Sequence, residues 1–399
     1  MSPGRCCAST AACTWRADMD LRLTADEARF RDELCTWLDR AEVPDGLRDF
    51  GSTPTADDVE PARLWQRQLA DAGWAALSWP APHGRGASPA EQAIFAEEMA
   101  RRNLPRQLSF VTIELAGPIL LRHGRPEQVD TMVAPMVRGE TIWCQLFSEP
   151  SAGSDLASLR TVAAPDGDGW LVNGQKIWTS GAHYADCGLL LARTDPSLQR
   201  HRGLSCFALP MDRPGIEVRP IRQLDGEDKF NEVYLTDVRV TSEDLLGATG
   251  DGWKVGLSVL GSERRMLGSV AIGLKNELWR LREQLEGSGR DDALFRDRWV
   301  AVYTRVELLR WTWFRFLSEA GAGGSDIDSR TSVLKLVSSE LQQEVGRLAR
   351  DAHRGAWALD PQHQGWRQSF LGSHGATIAG GTSEIQRNIL GERVLGLPR

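Results

Sequence analysis

Hydrophobic and polar positions change their period twice along the chain, and each change marks a boundary. From about Leu23 to Arg138 apolar residues recur every three or four positions, as on one face of a helix. Thr24, with Glu27 three residues later, reads as a capping box opening a helix that runs to Ala41. Ser88-Pro89-Ala90-Glu91 repeats the device with proline at the first helical position, and Gly73 and Gly139 stand where helices should end. From Thr141 to Leu246 the pattern shortens into β-rich runs: TIWCQLF, WLVNGQKIWTS, CGLLLART, GLSCFALP, IEVRPI and EVYLTDVRV. Turn clusters such as PDGDG and MDRPG separate them. From Gly252 the helical period returns over Trp253 to Glu286, Asp292 to Ala320, Ser329 to Trp357 and Thr382 to Val394, with AGAGGSD as a connection. Four helices in succession predict a bundle.

The expected fold class is α+β and mostly α: an N-terminal α-helical domain over 19–140, a middle β domain over 141–246 and a C-terminal four-helix bundle over 247–399. Residues 1–18 are expected to be a disordered tail, or the product of an upstream start codon with Met19 as the natural start.

One residue breaks the bundle pattern. In VGLSVLGSERRMLGSVAIGL, Glu263 has Val259, Leu260, Met266, Leu267 and Val270 on its own helical face, so a carboxylate stands in the apolar stripe. It can pair with a cation from another segment, reach an edge, or line a cavity beside a ligand, where desolvation would make it a better base.

Composition changes little in this picture. The chain has 399 residues, 41% of them hydrophobic and 25% charged, and no apolar run long enough to span a bilayer. A net charge of −7 argues against nucleic acid as a partner. Seven cysteines, three of them at positions 6, 7 and 13, show no paired metal spacing, so no metal is expected and a reducing, cytoplasmic setting fits best.

Three further stretches offer chemistry. CQLFSEPSAGSDLASLRT places Ser148, Ser151, Gly153 and Ser154 just after a strand, where backbone N–H groups could meet a phosphate or ring carbonyls, or form a plain tight turn. NGQKIWTSGAHYAD sets Trp178 beside Thr179 and Ser180, an aromatic plane next to small donors, or a packed tryptophan. GGTSE opens the last helix with free N–H groups that favour an anion, or is a simple cap made by Thr382 or Ser383. No strand-linked G-x-G-x-x-G, P-loop, H-E-x-x-H or G-x-S-x-G occurs, so any dinucleotide must bind outside a Rossmann fold.

Together these segments resemble the acyl-CoA dehydrogenases, flavoenzymes built from an α-helical domain, a middle β domain and a C-terminal four-helix bundle. The likeness runs from about Leu23 to the end. SEPSAGSDLASLRT resembles the first family signature, GQKIWTSGAHYAD the flavin-ring segment and GGTSEIQRNILGERVLGLPR the C-terminal segment. The resemblance implies FAD as cofactor, with Phe147, Ser148, Trp178 and Ser180 around its ring system and Thr382 and Glu384 contacting it from the last helix. It puts Ser154 near both flavin and CoA, and Gly381 against the substrate.

Many members carry the catalytic glutamate immediately before the Gly-Thr of the C-terminal motif, where this chain has Gly380. Other branches supply the base from a bundle helix, and Glu263 in GSERR is the matching position. The implied reaction is α,β-dehydrogenation of an acyl-CoA thioester to a trans-2-enoyl-CoA. Glu263 takes the α-proton, hydride passes to flavin N5, and the Gly380 N–H is a candidate donor to the thioester oxygen. Arg264 is expected to orient substrate or base, or to be a surface arginine. The missing side chain at Gly380 frees volume, which predicts a branched or bulky acyl group.

The implied partners are an electron-transfer flavoprotein as acceptor and a tetrameric assembly. LREQLEGSGRDDALFRDRW and DPQHQGWRQSFLGSHGATIAGG lack the family motifs that hold FAD across subunits. A hetero-oligomer with a sister subunit therefore stands beside the homotetramer. Alternatives are a flavin oxidase or monooxygenase on the same scaffold, and a flavin-poor structural subunit of a hetero-oligomeric dehydrogenase.

Overall fold

The computed structural model describes residues 22–47, 53–258, 269–286, 288, 291–321 and 327–398. The N-terminal region holds helices α1 (Ala25–Leu38), α2 (Val59–Asp71), α3 (Pro89–Arg101), α4 (Gly117–His123) and α5 (Pro126–Val137), with a π-helical turn, Val111–Ala116, leading into α4. Both capping boxes form: the Glu27 N–H donates to Thr24 Oγ1 at 3.2 Å and the Thr24 N–H to Glu27 Oε2 at 2.7 Å. Ser88 and Glu91 repeat this at 3.2 and 2.7 Å. Helix α1 ends three residues before Ala41, because the Asp39 and Arg40 N–H groups turn back to Cys35 and Trp37 and close the last turn. Gly73 and Gly139 follow α2 and α5 in the left-handed region, at φ +73° and +71°.

The middle region is one eight-stranded sheet. Its strands are β1 (Trp143–Leu146), β2 (Val162–Asp166), β3 (Gly169–Ser180), β4 (Cys187–Arg193), β5 (Leu204–Pro210), β6 (Ile216–Ile221), β7 (Phe230–Thr241) and β8 (Leu245–Leu246). They lie in the order β6-β7-β3-β2-β4-β5-β8, and β1 pairs in parallel with β4. The run in β4 is apolar without alternation because both its faces are covered. Leu189 and Leu191 pack toward Ile119, Met136 and Phe147, while Leu190 and Ala192 pack with Val172, Phe207 and Val238.

The C-terminal region contains α6 (Val270–Leu285), α7 (Ala293–Gly321), α8 (Ser332–His353), α9 (Gln364–Ala376) and the short α10 (Ser383–Ile389), which continues as a π-turn, Leu390–Val394. Leu278, Leu281, Trp299, Val306, Trp313, Leu341, Val345 and Trp366 share one core. Helix α9 was not foreseen as a helix: Gly365, Gly372 and Gly375 hide its pattern, and burial of Trp366 holds it. The α8 helix stops at His353 rather than Trp357, where Arg354 turns to φ +53°. Residues 252–258 are helical and α6 begins at Val270, and the stretch between them, with Glu263 and Arg264, lies outside the described residues. Among the described residues no helix is long and apolar enough to cross a membrane, and no His, Cys, Asp or Glu cluster could hold a metal ion.

Candidate active site

Two segments converge at the end of β3. The β3–β7 register slips between Lys176 and Thr179. Trp178 sits in that bulge at φ +60°. A bulge re-aims a side chain, and here the indole is turned out of the sheet, 56% exposed. It meets Phe230 edge-on, with ring centroids 6.2 Å apart and planes at 89°. Thr179 is buried behind it, and Ser180, half-buried, pairs with Phe230 across the strands.

The segment after β1 lies alongside. Phe147 is buried in the core, and the Ser148 carbonyl accepts the Ile177 N–H at 3.0 Å, which ties Ser148 to the strand carrying Trp178. Next comes a buried ion pair that the sequence reading did not single out. Lys176 Nζ donates to Glu149 Oε1 at 2.9 Å and to the Phe147 carbonyl at 3.1 Å, and its side chain is fully buried. The same carboxylate accepts the N–H of Arg160 at 2.6 Å and of Thr161 at 2.8 Å. One carboxylate thus closes both ends of the loop bearing Ser151, Gly153 and Ser154. Gly153 is open on the side a Cβ would occupy, and Ser154 is exposed.

Burial pushes the Glu149 carboxyl up, but the Lys176 charge and the hydrogen bonds outweigh it and hold it below the usual range. Burial pulls the Lys176 ammonium down to about 8 against the opposing pull of Glu149. At neutral pH the pair is charged on both sides. The signal that could have found it is positional: Lys176 stands in the inward register with Val172, where a cation needs a partner.

Beyond this loop a cavity of about 550 Å³ opens between Asp155, Arg160, Arg193, Pro196, Leu198 and Arg200. The Arg193 guanidinium joins its two walls, donating to the carbonyls of Ala157 and Leu159 on one side and of Leu198, Arg200 and Arg202 on the other.

The third group is the turn before α10. Gly380 and Gly381 take φ +63° and +90°. Thr382, rather than Ser383, caps the helix, its Oγ1 accepting the Ile385 N–H at 3.3 Å. Glu384 is exposed, and its own N–H together with the Thr382 hydroxyl keeps its carboxyl below the usual range. Gln386, fully buried, donates from Nε2 to the Gly380 carbonyl at 2.9 Å and to that of Gly381 at 3.4 Å.

Helix α9 links bundle and sheet: Gln368 Nε2 donates to Glu227 Oε1 at 2.7 Å, in the β6–β7 connection that leads into Phe230. The structure therefore brings Phe147, Ser148, Trp178 and Ser180 together on one scaffold. Gly380, Gly381, Thr382 and Glu384 form a second group beyond α9, and the two share no hydrogen bond among the described residues. An exposed indole braced edge-on by Phe230 suits a flat fused-ring ligand.

Family models match in chain order: the acyl-CoA dehydrogenase N-terminal domain over residues 24–140, the middle domain over 144–238 and the C-terminal domain over 250–395. The acyl-CoA dehydrogenase IpdE1 of Mycobacterium tuberculosis (strain ATCC 25618 / H37Rv) is 40% identical over 384 residues, 94% of this chain and 98% of that one. FadE34, an acyl-CoA dehydrogenase of the same organism, is 41% identical over 366 residues. That match takes in 91% of this chain, which spans only half the length of FadE34. Among solved structures, the Tcur3481-Tcur3483 steroid ACAD superposes with a TM-score of 0.84 at 26% identity, covering 96% of this chain and all of that one. Three domain models in order, with a relative matched almost end to end, show that this chain belongs to the acyl-CoA dehydrogenase family of flavoprotein oxidoreductases.

Proposed function

We propose that this protein is an FAD-dependent dehydrogenase that converts a branched or bulky acyl-CoA thioester to its trans-2-enoyl-CoA. The observation that carries the reading is the outward Trp178, locked in a left-handed bulge between Ser148 and Ser180. An exposed tryptophan with a fixed backbone is costly to leave in water and is what a flat isoalloxazine would cover. Phe147, Ser148, Trp178 and Ser180 would hold the ring, and Thr382 and Glu384 would contact the cofactor from α10. FAD supplies the two-electron acceptor for the hydride that leaves Cβ.

The protein's own residues handle the proton and the oxyanion. An α-hydrogen beside a thioester is weakly acidic, so a carboxylate must take the proton while an N–H donor meets the charge growing on the thioester oxygen. Glu263 is the base in this reading, supported by its place in an apolar stripe and by the glycine at 380. Gly380 offers the backbone donor, Gly381 lies against the acyl chain, and Arg264 and Ser154 orient the substrate. The absent side chain at Gly380 and the likeness to a steroid dehydrogenase both favour a sterol-derived or similarly bulky acyl group. That relative's name joins two components, which favours assembly with a sister chain. An electron-transfer flavoprotein is the proposed acceptor.

The test is anaerobic bleaching of the flavin by a panel of branched and sterol-side-chain acyl-CoAs, with wild-type protein and Glu263→Gln. Wild type should bleach, and the variant should keep yellow flavin and its fold while bleaching at least ~10³-fold more slowly. Retained bleaching in the variant would move the base elsewhere, and Glu384 is the next acid to replace.

A further inference from the structure

We infer that Gln386 is a positioning residue for catalysis: its buried amide anchors the Gly380–Gly381 turn from which the Gly380 N–H meets the substrate. The inference rests on the reading that the thioester lies at this turn.

Two consecutive glycines give the chain its most pliable backbone at the point where a donor must be placed to within a fraction of an ångström. No side chain at 380 or 381 can restrain it. The restraint comes from Gln386, whose Nε2 reaches the Gly380 carbonyl at 2.9 Å and that of Gly381 at 3.4 Å. The reverse amide orientation would set its oxygen against two carbonyl oxygens, which fixes Nε2 as the donor. Holding both oxygens fixes the two peptide planes that follow Gly380 Cα, and so anchors the Cα from which the Gly380 N–H, the proposed donor, projects. The clamp also leaves no room at 381, where an added Cβ would stand 2.7 Å from Gln386 Nε2.

Stability alone does not account for this residue. Among the described residues Gln386 Oε1 is buried with no hydrogen-bond partner, a cost of roughly 1–3 kcal/mol set against the two bonds that its Nε2 makes. The net gain to the fold is therefore small, and what the amide supplies is the placement of the turn.

The test compares the holoenzyme with Gln386→Leu and Gln386→Glu, using the acyl-CoA that wild type bleaches best. The leucine variant should keep its flavin spectrum and Tm, lose roughly 10- to 100-fold in kcat, and change KM by less than about 3-fold. In the glutamate variant a protonated carboxyl can still donate to the Gly380 carbonyl and an ionised one cannot. Its activity relative to wild type should therefore rise as pH falls. If leucine impairs folding, that pH dependence decides. Unchanged kcat in a leucine variant that keeps its flavin and Tm, or a flat pH ratio in the glutamate variant, overturns the inference. If no thioester bleaches wild type, the proposed reaction falls and this inference with it; bleaching by wild type with unaffected variants sinks the inference alone.

Discussion

Replacing Lys176 by methionine keeps length and removes charge, and it isolates what the buried ion pair contributes. The change strands the Glu149 carboxylate, whose side chain is only 4% exposed, without its cation. Breaking a buried pair from one side costs roughly 3–5 kcal/mol. Two backbone N–H bonds, from Arg160 and Thr161, stay on the carboxylate, so the lower end, about 3 kcal/mol, is expected. The double variant Lys176→Met/Glu149→Gln removes the stranded charge, and the new amide oxygen can still accept one of those N–H groups. Its loss should be about 1 kcal/mol, about 2 kcal/mol less than that of the lysine variant alone. Urea unfolding of wild type, both single variants and the double variant at pH 7 measures all four corners. The single lysine variant should also release flavin more readily, because Lys176 joins the Phe147 carbonyl to the strand that carries Trp178. A lysine variant within about 1 kcal/mol of wild type, or a double variant no better than it, would refute the claim that this pair holds the loop.

The remaining predictions concern the N-terminal helices. At Glu98, burial pushes the carboxyl up, but hydrogen bonds and charge from Arg31, Arg101 and Arg102 outweigh it and hold it at about 2, below the ordinary 4.5. A depressed acid stabilises the fold above its unfolded pKa and loses that contribution as pH falls toward its folded one. About 3 kcal/mol should therefore disappear between pH 4.5 and 2, and Glu98→Gln should flatten that limb of the stability-versus-pH curve; an unchanged limb rules the cluster out as its source. Gly117→Ala would set a Cβ 1.9 Å from Trp79 Cζ2, inside a core where the indole N–H is held by the Ile113 carbonyl at 2.9 Å. It should cost at least ~1–3 kcal/mol in urea unfolding, and an unaltered midpoint would show that Trp79 can move aside.

What the sequence revealed follows how far apart the cooperating residues lie. The capping boxes at Thr24 and Ser88 are complete within four residues, and both form. The strand runs with strong β composition all became strands, whereas β2 and β8 went unseen. Val162–Asp166 contains a proline and little alternation, and Leu245–Leu246 is two residues long, so only their neighbours define them. Helix α9 failed for the opposite reason: glycine and glutamine weaken its local signal, and its identity comes from Trp366 and the contact of Gln368 with Glu227.

At the site the same rule separates two kinds of residue. Ser148, Trp178 and Thr382 stand in short motifs and could be picked out one by one. The residues that hold them, Glu149, Lys176 and Gln386, became visible only through their partners 27 residues away in one case and five and six in the other. That division bears on the glycine at 380. By the family resemblance, many members carry the catalytic glutamate at this position. In the proposed reading, with Glu263 as the base, a glycine here frees space beside the substrate and leaves the backbone pliable. A glutamine reaching back from the next helix can stiffen that backbone without refilling the space, because it grips carbonyl oxygens and places no side chain at 380.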